Sequence, residues 1–227
     1  MIRSFIYFLI IIFAQSFALA QSAWYGYLDN LALKGNINLH NEIQYRNHNL
    51  GSQLEQFIIR NGIGWNLSND NNNILVGYAF IHNRPEAYCP IDKSMRFNEN
   101  RIYQQFFTKQ RFGHIFTTHR YRLEQRFLED EFKWRFRYWL SAYIALNKPE
   151  IVAKTFFISL YNEFFIQNSS SVESLYLDRN RTFVGLGYAL TNSVKLELGG
   201  LIQHIGEKRT FNAQFTLINY IALKHHR

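Results

Sequence analysis

From Phe132 to Ala145 the chain alternates residue by residue between two chemistries. Phe132, Trp134, Phe136, Tyr138, Leu140, Ala142 and Ile144 take the even positions, and all are apolar. Lys133, Arg135, Arg137, Trp139, Ser141, Tyr143 and Ala145 take the odd ones. A period of two puts these sets on opposite faces of a β-strand, whereas a helix would wind the cations round its whole surface.

The pattern recurs. Asn36 to Arg46 sets Ile37, Leu39, Ile43 and Tyr45 against Asn38, His40, Glu42, Gln44 and Arg46. Ile115 to Leu128 sets Ile115, Tyr121, Leu123 and Phe127 against Arg120, Arg122, Glu124 and Arg126. Further segments cover roughly 24–33, 53–67, 73–84, 99–111, 154–167, 177–190, 193–204 and 209–222, which makes eleven. Strands of soluble proteins average about 5–6 residues, whereas a tilted membrane strand needs about 9–11. The length of these segments therefore predicts an all-β, antiparallel up-and-down barrel that crosses a membrane.

Short turns at Lys34-Gly35, Phe112-Gly113 and Thr191-Asn192-Ser193 roughly alternate with longer links at His48 to Gln53, Arg84 to Asn98 and Asn168 to Tyr176. Such alternation is usual in outer-membrane barrels, and the link from Asn147 to Ala153 departs from it. Single-chain bacterial barrels carry even strand numbers, so the eleven segments predict about twelve strands, with ten as the alternative.

The beginning of the chain names a compartment. Arg3 supplies a positive start, residues 5–13 are continuously apolar, and Ala18-Leu19-Ala20 has the small-x-small form of a signal-peptidase site. The apolar run is too short for a membrane helix, which needs about 20 residues. The expectation is a signal peptide over residues 1–20 and one outer-membrane barrel over 21–227, with a buried N-terminal helix as the other reading. Export implies the Sec and barrel-assembly machinery as transient partners and outer-membrane lipid as a permanent one. Cys89 stands alone, so no internal disulfide forms, and no lipobox cysteine follows Ala20. A net charge of +8 would suit nucleic acid, but the basic residues alternate with apolar ones instead of forming a block. Aromatics at 17% with a mean hydropathy of −0.24 fit strands that are greasy on one face and wet on the other.

In a barrel of this kind the polar face lines the lumen. The charges assigned to it form a belt of Glu42, Arg60, Glu99, Arg101, Arg120, Arg122, Glu124, Arg126, Arg135, Arg137, Glu163, Arg179 and Arg181, nearer the end with the longer links. If Phe112-Gly113 is the two-residue turn, Glu99 faces Arg126 and Arg101 faces Glu124. Looser arithmetic brings Glu42 to Arg60, Arg137 to Glu163, and Glu163 to Arg179 or Arg181. Unpaired charges in a narrow lumen are costly, so a connected network is expected, with the arginine fork bridging its partners. The belt either fills and stiffens the barrel or forms a constriction that prefers a small anionic solute. Gly62, Gly64, Gly185 and Gly187 share that face and leave room for bulky neighbours. Trp24, Tyr25, Tyr27, Trp65, Tyr78, Trp134, Tyr188 and Tyr220 are candidates for interfacial girdles, with a place in the lumen as the alternative for some of them. The last strand ends near an aromatic, but the basic tail Lys224-His225-His226-Arg227 departs from the usual ending of such barrels.

Several runs resemble a known family: Glu99 to Gln105, His119-Arg120-Tyr121-Arg122-Leu123-Glu124-Gln125-Arg126-Phe127, Arg135-Phe136-Arg137-Tyr138, Asn162-Glu163, Arg179-Asn180-Arg181 and Gly185-Leu186-Gly187-Tyr188. Together they look like domain-of-unknown-function family 2490, predicted bacterial outer-membrane barrels. The resemblance spans nearly the whole chain after residue 20. It implies a barrel and supplies no activity.

An outer-membrane lipid-modifying hydrolase is the rival class. His119 and Thr117 share an outward face, but no serine stands two residues from a histidine in matching strand context. A periplasmic ligand-binding barrel, the third class, would need its apolar residues inside. No cofactor or metal site is expected, because no His/carboxylate spacing recurs.

Overall fold

An amphipathic sheet keeps two unpaired edges until it closes on itself. The computed structural model describes residues 20–48, 51, 53–67, 71–84, 96–129, 131–169 and 172–222. The signal-peptide reading up to residue 19, Cys89 and the basic tail fall outside that set. Among the described residues eleven strands form one closed barrel. They are β1 (Ser22–Ala32), β2 (Ile37–His48), β3 (Gln53–Asn66), β4 (Asn72–Asn83), β5 (Phe97–Phe112), β6 (Ile115–Phe127), β7 (Phe132–Ala145), β8 (Thr155–Ser169), β9 (Val172–Ala189), β10 (Val194–Ile205) and β11 (Lys208–Ala222). Each alternating segment of the sequence is one strand.

Sequential neighbours pair antiparallel, so β1 and β11 run in the same direction and close the barrel in parallel, from Ser22↔Asn212 to Ala32↔Ala222. This corrects the expected twelve strands and the alternative of ten. An even count is a habit of bacterial barrels and not a requirement, because a parallel ladder also satisfies the edge hydrogen bonds. One end of the barrel thus holds Ser22 and the other Ala222.

The connections also differ from expectation. β8 runs to Ser169 and β9 starts at Val172, so Asn168 to Tyr176 is mostly strand. The stretch 146–154 at the Ala222 end is longer than several links at the Ser22 end, so length does not sort the two ends. Gly113 takes φ 59° and Phe112 pairs with Ile115, so the β5–β6 turn is Gly113-His114 rather than Phe112-Gly113. Glycine at the first central position supplies the positive φ of a tight hairpin. The register is displaced by two residues as a result: Arg101 faces Arg126 and Tyr103 faces Glu124.

The two faces follow the alternation. Outward positions are exposed and mostly apolar, as at Ile63, Val76, Leu123, Phe164, Leu198 and Phe215. One polar ladder crosses this outer surface over β11, β1, β2 and β3. Asn219 donates to Asp29 at 3.1 Å, Asn41 to Asp29 at 3.4 Å, and Asn61 to Asn41 at 2.8 Å.

Inward glycines make room for rings. A Cβ on Gly77 would overlap Tyr103, and one on Gly187 would overlap the fully buried ring of Phe157. Gly187→Ala is therefore expected to destabilise the barrel by about 1–3 kcal/mol through overpacking. Urea unfolding checks it, and Phe157→Leu in the same chain should restore most of the loss. A loss untouched by Phe157→Leu would place the strain elsewhere.

Candidate functional site

The inward face of these strands is polar yet withdrawn from bulk water, so its charges must find partners across the lumen. All thirteen belt residues meet there. Ten are buried, while Arg120, Arg126 and Arg179 keep partly exposed side chains.

β5 to β8 carry the larger share. Arg126 donates to Glu99 through Nε at 2.5 Å and Nη2 at 3.1 Å. Arg101 holds the same carboxylate through Nε and Nη2, at 2.6 and 2.7 Å, and stands 3.7 Å from Glu124. Glu124 accepts Arg135 Nε at 2.9 Å, Arg135 Nη2 at 2.5 Å and Arg137 Nη1 at 2.6 Å. Arg137 continues to Glu163 at 2.9 and 2.6 Å, and Glu163 also accepts Arg120 at 2.8 Å. An unbroken charge chain therefore spans four strands.

The Glu99–Arg126 and Arg101–Glu124 pairs form although their register was misplaced. They form diagonally, because these long side chains bridge the offset to the next inward residue of the neighbouring strand. Arg137 and Glu163 meet in the same way, since Arg137 faces Phe165 and Trp139 faces Glu163. Glu42 and Arg60 are direct cross-strand partners, joined at 2.6 Å. Glu163 faces Arg181 in register, but Arg181 Nε donates to Gln203 at 2.7 Å, and Arg179 Nε turns to Asp178 at 2.7 Å.

The family described as Protein of unknown function (DUF2490) matches residues 21–214. The chain belongs to that family. Searches of curated proteins and of solved structures find no match. The runs that carried the resemblance lie on β5 to β9, and their charged members supply most of the network.

Several members of the DUF2490 lumen escaped the sequence reading. Asp178 was one, because strict alternation along β9 points it outward. A bulge shifts the register from Phe165↔Arg179 to Ile166↔Leu177 and turns Asp178 inward, within 3.9 Å of Arg135. Bulges re-aim side chains in this way. Phe165 was another. Its buried ring faces the guanidiniums of Arg137 at 4.7 Å, Arg181 at 4.8 Å, Arg135 at 5.4 Å and Arg179 at 5.8 Å. Its odd number, shared with Glu163, was a usable sign.

Trp24 corrects the girdle assignment, for it is buried inside, under Arg46 at 3.8 Å and Arg181 at 4.8 Å. Arg46, on the polar face but left out of the belt, also donates to Gln44 at 2.6 Å and Gln56 at 2.8 Å. Tyr220 lies on the inner face as well, 5.3 Å beneath Lys195. Tyr25, Tyr27, Trp65, Tyr78 and Trp134 face outward as expected.

Towards the Ser22 end the DUF2490 lumen is filled. Glu99, Arg101, Gln167, Gln203 and Asn212 are buried there, and Arg126 also donates to Gln167. Towards the Ala222 end it widens into a cavity of about 450 Å³ that reaches Ala32, Lys109 and Ala222. Arg60, Arg122, Arg137 and Glu163 line the inner part of this cavity. The arrangement is a plug of paired charges with a pocket beneath it.

Proposed function

We propose that this chain is an exported outer-membrane barrel whose lumen is plugged, so that it does not conduct as an open pore. The observation that carries the plug is the chain from Arg126 through Glu99, Arg101, Glu124 and Arg137 to Glu163, which spans the Ser22 half of the lumen with mutually paired charges, all but Arg126 buried. Moving any of these charges aside would strip it of its partners, which favours a permanent seal over a gate. Two features support the membrane location: strands of 11 to 18 residues and an exposed apolar outer face. Support for export comes from the family match, which begins at Gln21, directly after Ala18-Leu19-Ala20.

The purified protein should migrate differently in detergent gels before and after heating, and should leave the envelope only with detergent. Release by salt alone would sink the membrane reading. In planar bilayers the expected result is a flat current trace. Steady steps that Arg122→Ala abolishes would replace the plug with an anion-preferring channel.

A further inference from the structure

The cavity beneath the plug is not electrically balanced. Seven arginines and lysines line it against three glutamates, Glu42, Glu163 and Glu197. Two of those carboxylates are already engaged: Glu42 takes Arg60 at 2.6 Å, and Glu163 takes Arg120 and Arg137. Glu197 accepts Ser159 Oγ at 3.0 Å.

Donors remain after this pairing. Arg122 is buried, and both its Nε and Nη2 are spent on Gln105 Oε1, at 2.9 and 2.6 Å. Its Nη1 stands 3.7 Å from Glu124, beyond hydrogen-bond reach, and has no hydrogen-bond partner. The Nε of Arg60 and the Nε of Arg120 also lack partners, and all three arginines line the same cavity. Buried guanidinium N–H groups without acceptors are costly, and an oxyanion satisfies several of them at once.

Part of the remaining wall is apolar, beside polar residues such as Asn30, Gln44 and Thr216. Leu28, Leu75, Phe107 and Ile218 line the cavity, and Trp139 lies 4.8 Å under the Arg120 guanidinium. A volume of about 450 Å³ falls in the range of pockets that hold small molecules, roughly 300–1,000 Å³. An inorganic ion would leave most of that space, and all of its apolar wall, unused.

We infer that the cavity binds a small organic anion entering from the Ala222 end, with its acid group on Arg60, Arg120 and Arg122 and its apolar body against Leu28, Leu75, Phe107 and Ile218. The acid is a carboxylate or a phosphate. The inference rests on the plugged-lumen reading but not on the membrane location, so binding and conductance can fail separately.

The test uses tryptophan emission. Trp24 and Trp139 line the cavity, whereas Trp65 and Trp134 are exposed outside, so the Trp65→Phe/Trp134→Phe chain reports from the lumen. Folding of each variant is checked by heat-modifiable migration. Titration with 4-nitrobenzoate should quench that emission saturably, and neutral 4-nitrobenzamide should bind at least tenfold more weakly. Arg120→Gln, at the least buried of the three arginines, should weaken nitrobenzoate at least tenfold. Arg111→Gln, at an exposed ion pair with Glu150 outside the cavity, should leave it unchanged. Octanoate or octyl phosphate should displace the probe, and whichever does so at lower concentration names the acid. Equal quenching by acid and amide, or indifference to Arg120→Gln, would overturn the site. Displacement by inorganic phosphate as readily as by octanoate would overturn its organic character.

Discussion

Glu124→Gln should cost the barrel about 3–5 kcal/mol, the range seen when one partner of a buried ion pair is removed. Glu124 is 1% exposed and receives Arg135 and Arg137 directly, with Arg101 and Arg122 each 3.7 Å away. Glutamine keeps the shape but removes the only charge that those four guanidiniums share at close range. Arg101 and Arg137 retain second carboxylates in Glu99 and Glu163. Among the described residues Arg135 retains only Asp178, at 3.9 Å. Glu124→Gln with Arg135→Gln should therefore lose less than the single change, since it withdraws the stranded charge as well. Urea unfolding followed by far-ultraviolet dichroism measures both. A single-variant loss below about 0.5 kcal/mol, the scale of ordinary surface changes, would mean that water reaches the network and screens it.

Leu198→Arg is expected to destabilise the folded barrel in phospholipid vesicles by about 2–4 kcal/mol. Leu198 points outward on β10, with Leu186 and Phe215 as its cross-strand neighbours, so an arginine there meets an apolar surround. The same substitution at Leu190, just beyond the end of β9, should cost about 0–1 kcal/mol, because the penalty falls towards the membrane surface. A water-facing surface would show neither the cost nor its dependence on depth. Equal small losses at both positions would therefore place this face in water and overturn the membrane assignment, while the plug inside would stand.

Much of the fold was legible because a strand writes its faces into its own residues. The even–odd split at Phe132 to Ala145 named both faces of β7, and most of the other segments were legible in the same way. The belt followed, since each of its charges occupies the polar parity of its own strand. What failed was whatever depends on a neighbour. The β5–β6 register hung on which two residues turn at Gly113, and a two-residue slip keeps every side chain on its correct face. Alternation cannot detect that slip. Asp178 failed for the opposite reason, because a bulge against β8 reversed the parity of part of β9.

Trp24 shows the limit most plainly. Its parity is compatible with either face, and its chemistry suits a membrane interface as well as a lumen. Only the approach of Arg46 from β2 and Arg181 from β9 decides that it lies inside. The closure is similar, for an odd number of strands leaves no local mark, and the parallel seam joins residues at opposite ends of the chain. The sequence by itself determined eleven amphipathic segments, most of their two faces and the thirteen charges of the belt, since those properties are local and repeat every second residue. The tertiary structure alone decided the parallel seam, the diagonal pairing of the arginines and the cavity below them, because each arises from contacts between strands whose alignment no single strand encodes.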